Sequence, residues 1–493
     1  MQDFIRINKN DNVAVALRDL DKGTKVHLEN LCITLLDTIP SGHKFALTNF
    51  SKGDDVIKYG YPIGLATEHI NPGQWIHIHN ICTKLNDIIN YNYNPVGDTV
   101  NKKDKSFFLG FRRENGSVGI RNEIWIIPTV GCVNSIAKEL EKQAQTRIKG
   151  NIEGIIAYTH PYGCSQMGDD QENTRQILAN LINHPNASGV LVLGLGCENC
   201  NIAELKHYIG PYNDCRVKFL ECQSVEDELE AGFLLLDELI EYTYAMMREP
   251  IGSDELIVGL KCGGSDGLSG ITANPLVGAF SDLLISTGGT TILTEVPEMF
   301  GAETILMNRC HNRDLFDKTV TMINEFKEYY KKHDQSIYEN PSPGNKKGGI
   351  STLEDKSLGC TQKSGAALVV DVLKYGEIVK NNGLNLLSAP GNDLVASTAL
   401  AAAGAHLILF TTGRGTPFAS PIPTVKISSN SNLASKKNNW VDFDAGQVLG
   451  EKTLEELKEE FFQYVLEVAS GKKVKSEVVG YYDLAIFKQG VTL

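Results

Sequence analysis

At 493 residues the chain exceeds what one hydrophobic core serves, so two to four domains are expected. Its 42% hydrophobic and 22% charged residues are ordinary for a globular protein, and no apolar run approaches the ~18 residues of a membrane-spanning helix. A formal net charge of −13 without a dense basic stripe argues against a nucleic-acid partner; an anionic ligand would need local positive charge or a metal to offset that field.

The first ten residues hold no basic region leading into an apolar stretch, so no signal peptide is expected and a cytoplasmic location is. Eleven cysteines in a reducing compartment argue against a disulfide scaffold; most such thiols are small buried hydrophobes. Residues 1–95 read as a small, mostly β unit, with turn signals at Asp21-Lys22-Gly23, Pro40-Ser41-Gly42, Lys52-Gly53-Asp54 and Asn71-Pro72-Gly73. Gly42-His43-Lys44 sits in one such turn, where a lone histidine is ordinarily a surface residue. The stretch Trp75 to His79 alternates and, if extended, puts His77 and His79 on one face, a spacing that can place two imidazoles on one metal. The plainer alternative is a polar solvent face. The polar stretch Asn90–Lys105 has linker composition, and the linker proper is set at residues 96–107. Its basic run, Lys102, Lys103 and Lys105 interrupted by Asp104, fits a solvated linker better than a phosphate patch.

From Phe108 the texture becomes α/β, divided here into a first block, 108–250, and a second, 251–493. In the first, strands are predicted at Glu123–Pro128, Ile152–Tyr158 and Val190–Leu195, with helices near Ser135–Gln143 and Glu172–Ile182. This alternation argues for a parallel sheet, whose ligand crevice lies beyond the carboxyl ends of the strands. Each strand runs into a Gly-flanked turn bearing a cysteine: Cys132, Cys164 and Cys197. Thiolates so placed could act as nucleophile or base, or hold iron or an iron–sulfur cluster; small residues are also simply favoured at crowded strand ends. Cys197 and Cys200 form a CxxC pair without a second pair, a weak zinc signal. His160, four residues before Cys164, adds a possible ligand or base.

In the second block, strand Leu256–Leu260 leads into Lys261–Asp266, Thr290–Leu293 into Thr294–Glu298, and Gly404–Phe410 into Thr411–Pro417. A charged helix is expected near Asp314–Lys331, a Gly/Lys-rich loop at Asn340–Gly349 and an amphipathic helix at Glu451–Ala469. After Cys262, two glycines expose backbone N–H groups, and Ser265 and Asp266 stand where a ligand or cation would meet them. Glu295 and Glu298 could bind a metal or serve as acid and base, although carboxylates there are often helix caps. Arg414, flanked by glycines and preceded by Thr412, suits bidentate capture of a carboxylate. Asn345 and Lys346 would add polar contacts and positive charge for a polyhydroxy acid. Neither GxxxxGK[ST] nor strand–GxGxxG–helix is present, so no nucleotide cofactor is indicated.

Taken together, Gly42–Leu47 (GHKFAL), Pro128–Asn134 (PTVGCVN), Tyr162–Gln166 (YGCSQ), Gly194–Asn199 (GLGCEN), Lys261–Asn274 (KCGGSDGLSGITAN), Asn340–Gly349 (NPSPGNKKGG) and Glu354–Lys363 (EDKSLGCTQK) form a distinctive series. With them the chain closely resembles the altronate/galactarate dehydratase family over nearly its whole length. The resemblance implies an N-terminal β-clip domain of the SAF type and a larger body of two Rossmann-like α/β blocks. It implies Fe2+ or Mn2+ as cofactor, with an iron–sulfur cluster as the alternative. The activity implied is conversion of D-altronate to 2-dehydro-3-deoxy-D-gluconate and water, in hexuronate breakdown. His77-Ile78-His79 and Cys360 have the altronate form, not the galactarate one. A galactarate dehydratase, a sulfolactate-type lyase, or a sugar-acid-binding sensor are the competing readings. A homodimer is expected, and no membrane partner.

Such a dehydration takes the weakly acidic C2 proton and expels the C3 hydroxyl, which calls for a base, an acid and a divalent metal on the carboxylate. The catalytic candidates are His43, Lys44, His79, His160 and Arg414. The substrate-binding candidates are Ser265, Asn345, Lys346, Thr412 and Arg414. The metal candidates are Cys132, Cys164, Cys197, Cys262, Asp266, Glu295 and Glu298. If the N-terminal unit supplies His43 and His79, it must close over the body of its own or a neighbouring chain.

Overall fold

Short strands punctuated by glycine turns fold the first 82 residues into three small antiparallel sheets. One orders Phe4–Ile5, Val13–Ala16, Lys44–Ala46 and Trp75–Ile76; another Asp55–Lys58, Tyr61–Ala66 and Ile81–Cys82; the third pairs Lys25–Leu28 with Leu31–Thr34. The structure is a computed structural model that describes residues 3–28, 31–85, 90–97, 100–450 and 452–493. The predicted extended run through His79 is corrected. The strand stops at Ile76, and Asn80 closes a turn by accepting the His77 N–H at 3.0 Å and donating to the Trp75 carbonyl at 2.9 Å. His77 is therefore buried and His79 exposed, not side by side on one face.

The polar stretch that follows is no free linker. Tyr91 donates its hydroxyl to Glu303 and Tyr93 to the Cys310 carbonyl at 2.6 Å, strapping the segment onto the second α/β body. Asp98 and Thr99, within the expected linker, lie outside the described residues, as does Glu451, the expected start of the last helix. That helix runs Leu454–Ala469 behind a capping box of Thr453 and Glu456, and buries Leu457, Phe461, Phe462 and Val465 along one stripe.

The first α/β body holds four parallel strands in the order Gly154–Ala157, Glu123–Pro128, Ala187–Gly194, Val217–Glu221. The helix after Gly154–Ala157 begins at Gly168, four residues earlier than expected, because Asp169 and Asp170 complement its N-terminal dipole. The second body is a seven-stranded parallel sheet ordered Val369–Leu373, Leu384–Leu387, Thr290–Leu293, Ile257–Cys262, Leu407–Thr412, Thr424–Ser428, Phe443–Asp444. The α/β expectation is met in both. The Asn340–Gly349 loop contains a short helix, Pro343–Lys347, closed by reciprocal Ser342 and Asn345 bonds.

Helices Gly168–Ile182 and Asp393–Ala402 lie between the two bodies, with Trp125, Ile177, Leu178, Leu400, Ile408 and Phe410 in one shared core. Each fully buried side chain of this kind contributes about 1.5–3 kcal/mol. The two bodies are tied by Asn186, just before strand Ala187–Gly194, which donates to the His406 carbonyl at 3.0 Å just before strand Leu407–Thr412, and by Tyr158, just after strand Gly154–Ala157, which donates to the Pro421 carbonyl at 2.7 Å shortly before strand Thr424–Ser428. Among the described residues, no helix is long and apolar enough to cross a membrane.

Candidate active site

The seven-stranded sheet reverses its order at Ile257–Cys262, whose neighbours are Thr290–Leu293 on one side and Leu407–Thr412 on the other. Ligands of open α/β sheets bind beyond the carboxyl ends of the strands at such a reversal, and here that end is Lys261 and Cys262. Helix Leu353–Thr361 packs over it. The helix is buried along its whole length although its sequence is LEDKSLGCT, so its charges must be paired where they lie.

Lys356 and Cys360 are one turn apart on that helix and both reach Glu298. Lys356 Nζ lies 2.7 Å from Oε1 and Cys360 Sγ 3.1 Å from Oε2. Cys262 Sγ approaches the same Oε2 at 3.0 Å, and the two sulfurs are 3.4 Å apart. Among the described residues, Cys262, Glu298 and Cys360 are the one group whose three ligand atoms lie within 4.8 Å of one another. Behind them Glu295, in left-handed backbone at φ +70°, accepts from Lys261 Nζ through Oε1 and from the Cys262 N–H at 2.9 Å through Oε2. Lys261 also bonds Asp393 at 2.9 Å, and Lys363 lies 3.6 Å from Glu295. Burial opposes charge on Glu298, but Lys356, Lys261 and Lys363 outweigh it and hold its carboxyl well below the usual range. The neighbouring thiol of Cys262 and burial push the Cys360 thiol up. Burial would discharge Lys356, but Glu298 outweighs it and keeps the ammonium charged.

The N-terminal unit closes the other side. Asp355, fully buried, accepts from Lys44 Nζ at 2.9 Å and Lys58 Nζ at 3.0 Å, while Lys44 also donates to the Gly349 carbonyl at 2.8 Å. Beside Asp355, Glu354 accepts from Thr83 and from the Lys84 N–H at 2.7 Å. The backbones meet glycine to glycine: a Cβ at Gly267 would lie 1.9 Å from the Gly42 carbonyl oxygen, and one at Gly349 2.3 Å from it. Burial and the adjacent Lys58 together bring Lys44 down to about 8 against the pull of Asp355, whereas Asp355 overcomes burial at Lys58 and raises it. A small closed cavity remains between the units, lined by Lys58, Tyr59, Ser265, Asn274, Asp355 and Cys360 among others.

Of the expected residues, His43, Lys44, Cys262, Ser265, Asp266, Glu295, Glu298, Asn345, Thr412 and Arg414 gather around this region. His43 is engaged through both ring nitrogens, 3.2 Å from the Lys347 carbonyl and 3.2 Å from Trp75 Nε1. Asp266 is half-buried and accepts from Ser269 and Ser429 through Oδ1 and from Asn430 through Oδ2, so both of its oxygens hold its own turn. Asn345 donates to the Ser265 carbonyl at 2.8 Å, and the buried Ser265 hydroxyl has no partner. Thr412 accepts from the Gly415 N–H at 2.9 Å, and Arg414 is exposed, packed over Gly264 and Gly344. Lys346 is half-buried on the short helix.

Others stand apart. His79 is exposed on its turn. His160 is buried, bonds the Pro128 carbonyl at 2.8 Å and accepts from the Tyr162 N–H at 3.2 Å; both nitrogens are occupied and burial lowers it to about 4, so it stays neutral and structural. Cys132, Cys164 and Cys197 lie at the edge of the other sheet and do not join Cys262 in one ligand group. Lys58, Tyr59, Lys261, Asp355, Lys356 and Lys363 were not singled out as site residues, and Cys360 only as a mark of the altronate form. For Asp355, Lys356, Cys360 and Lys363 the signal was a charged EDKSLGCTQK segment without a solvent-facing helical stripe.

Three family models cover the chain in succession: the altronate/galactarate dehydratase SAF domain at residues 2–84, the D-galactarate dehydratase/altronate hydrolase second domain at 110–244, and the D-galactarate/altronate dehydratase C-terminal domain at 253–492. The N-terminal β unit is thereby a SAF domain. An altronate dehydratase of Bacillus subtilis (strain 168) is 57% identical over all of both chains. One of Escherichia coli (strain K12) is 54% identical over 99% of this chain and 100% of its own. A galactarate dehydratase (L-threo-forming) of the same E. coli strain is 32% identical over 95% of this chain and 93% of its own. With all three domains matched in order and these relatives aligned nearly end to end, the chain belongs to the altronate/galactarate dehydratase family.

Proposed function

We propose that this chain is a hydro-lyase converting D-altronate to 2-dehydro-3-deoxy-D-gluconate and water. The observation that carries the reaction class is the Cys262–Glu298–Cys360 group ringed by buried lysines at the sheet reversal. The choice of altronate rests on the two full-length relatives that bear that name. The donor set fits a divalent ion. Lys356 occupies Glu298 Oε1 and so aims Oε2 at the two sulfurs, the kind of outer support that orients metal ligands. Two thiolates and one carboxylate suit Fe2+ better than Mn2+, which prefers oxygen donors. When bound, the ion supplies Lewis acidity at the substrate carboxylate.

The protein's own groups do the rest. Five buried ammonium groups, of Lys44, Lys58, Lys261, Lys356 and Lys363, face four carboxylates, of Asp355, Glu295, Glu298 and Asp393. With Lys44 neutral, the four remaining ammonium groups balance the four carboxylates, so the site does not add to the repulsion that the chain's overall −13 exerts on a sugar-acid anion. Lys44, brought down to about 8, is the base that takes the C2 proton at Nζ; Lys58 keeps Asp355 paired when Lys44 is neutral. Ser265, with its free hydroxyl, and Arg414 bind the hydroxyls and carboxylate. The SAF domain excludes water by closing over the body at Gly42 and Gly267.

The same reading places the enzyme in the cytoplasm, where its eleven free thiols persist, and makes it a homodimer; cell fractionation and light scattering test these. The reaction is tested by incubating Fe2+-loaded enzyme anaerobically with D-altronate, galactarate and sulfolactate. Keto acid from D-altronate is expected. Its absence overturns the assignment, and faster turnover of galactarate replaces the substrate.

A further inference from the structure

The hairpin that joins Asp55–Lys58 to Tyr61–Ala66 carries a residue that its turn does not favour. Lys58 pairs with Tyr61, so the turn is the two residues Tyr59 and Gly60, and both are left-handed, at φ +61° and +80°. Two-residue hairpin turns take Asn, Asp or Gly at the first of these places, because a bulky side chain is strained there. Strain of this kind gathers at functional sites. The ring of Tyr59 shares a core with Ile63 and Leu358, a place that a phenylalanine would fill as well. The hydroxyl reaches further. A Cβ at Gly270 would lie 2.3 Å from it and one at Gly359 3.5 Å, so two glycines of the second body leave the slot it enters. Gly359 directly precedes Cys360.

Tyr59 also lines the closed cavity between the units, with Ser265, Asn274, Lys356 and Cys360; at about 10 Å³ it has room for one oxygen the size of water. Lys58 Nζ lies 4.6 Å from the centre of the Tyr59 ring and 3.0 Å from Asp355, which bonds Lys44 at 2.9 Å. Lys44 and the phenol thus stand on one domain, linked across Asp355. The proposed reaction has its base in Lys44, but the C3 hydroxyl leaves poorly as hydroxide and needs a proton donor. A phenol holds its proton at neutral pH, and burial keeps this one above its ordinary value against the pull of Lys58.

Building on the dehydratase reading, on which this depends, we infer that Tyr59 is the acid of the reaction and gives its phenolic proton to the departing C3 oxygen. Lys44 takes the C2 proton, and the freed electron pair forms the C2–C3 double bond. The C3–O bond breaks with its electrons on oxygen, and the Tyr59 proton turns that oxygen into water. Lys44 is left as an ammonium and Tyr59 as a phenolate beside Lys58; one proton returned along Asp355 and Lys58 resets both. The test compares Fe2+-loaded wild type and Tyr59→Phe on D-altronate and on its 3-deoxy-3-fluoro analogue, whose fluoride leaves without a proton. Tyr59→Phe should slow dehydration by about 100-fold or more, through kcat with KM little changed, yet release fluoride at the wild-type rate. It should keep wild-type circular dichroism and, by calorimetry, wild-type affinity for D-altronate. Tyr61→Phe, exposed on the same hairpin, should match wild type throughout. Dehydration by Tyr59→Phe at the wild-type rate, or equal loss with both substrates, overturns the inference and leaves the dehydratase assignment standing. A wild type inert toward D-altronate sinks that assignment first, and the role of Tyr59 with it.

Discussion

Asp355 is the most consequential single charge in the molecule, and its removal should be felt in stability before catalysis. Asp355→Asn leaves two buried ammonium groups, Lys44 and Lys58, without their carboxylate. Breaking a buried pair in this way costs about 3–5 kcal/mol. Lys44→Met should cost less, about 1–3 kcal/mol, because Asp355 keeps Lys58 at 3.0 Å and the Ser351 N–H at 3.0 Å. The double variant should be less damaged than the sum, since one unpaired charge goes with its partner. Urea unfolding followed by circular dichroism, with fluorescence of Trp75 reporting the SAF domain, measures each. The acid dependence has a definite sign. The folded-state carboxyl is held below its ordinary value by Lys44 and Lys58, so its stabilisation is present above about pH 4 and is lost as pH falls below that, through the folded value. An Asp355→Asn protein within about 1 kcal/mol of wild type, with unchanged acid dependence, would refute this account of the domain contact.

Three further outcomes follow from the geometry. Gly267→Ala puts a Cβ 1.9 Å from the Gly42 carbonyl oxygen; it should cost about 1–3 kcal/mol and expose the SAF domain to limited proteolysis, while Gly97→Ala, with nothing within 4 Å, should do neither. If Lys44 is the base, kcat/KM should rise with pH through about 8 as it loses its proton, and Lys44→Arg should flatten that limb with little loss of fold. Chelation should abolish turnover and Fe2+ should restore it better than Mn2+, because two of the three donors are sulfur; equal rescue by Mn2+ would argue for an all-oxygen site elsewhere.

The α/β order was legible because buried parallel strands such as Ala187–Gly194 are continuous apolar runs ending in glycine turns. Glu298 and Cys262 were legible for the same reason, as polar residues at strand ends. Alternation misled at Trp75–His79, where a single Asn80 side chain turns the backbone and sends His77 inward. The rest of the site was hidden in Leu353–Thr361. A helix buried on all sides has no amphipathic stripe, and its Asp355 and Cys360 find partners 311 and 62 residues away only after folding. Asp266 shows the converse: a carboxylate in a Gly-rich turn looks like a ligand until its donors are seen.

Anaerobic turnover of D-altronate by Fe2+-loaded wild type and Cys360→Ser, followed by NMR in D2O, tests the central claim most directly. The account predicts a 2-keto-3-deoxy acid from the wild type with one deuteron at C3, and a rate lower by about 100-fold in the variant. No keto acid from the wild type, or undiminished turnover by Cys360→Ser, would contradict it.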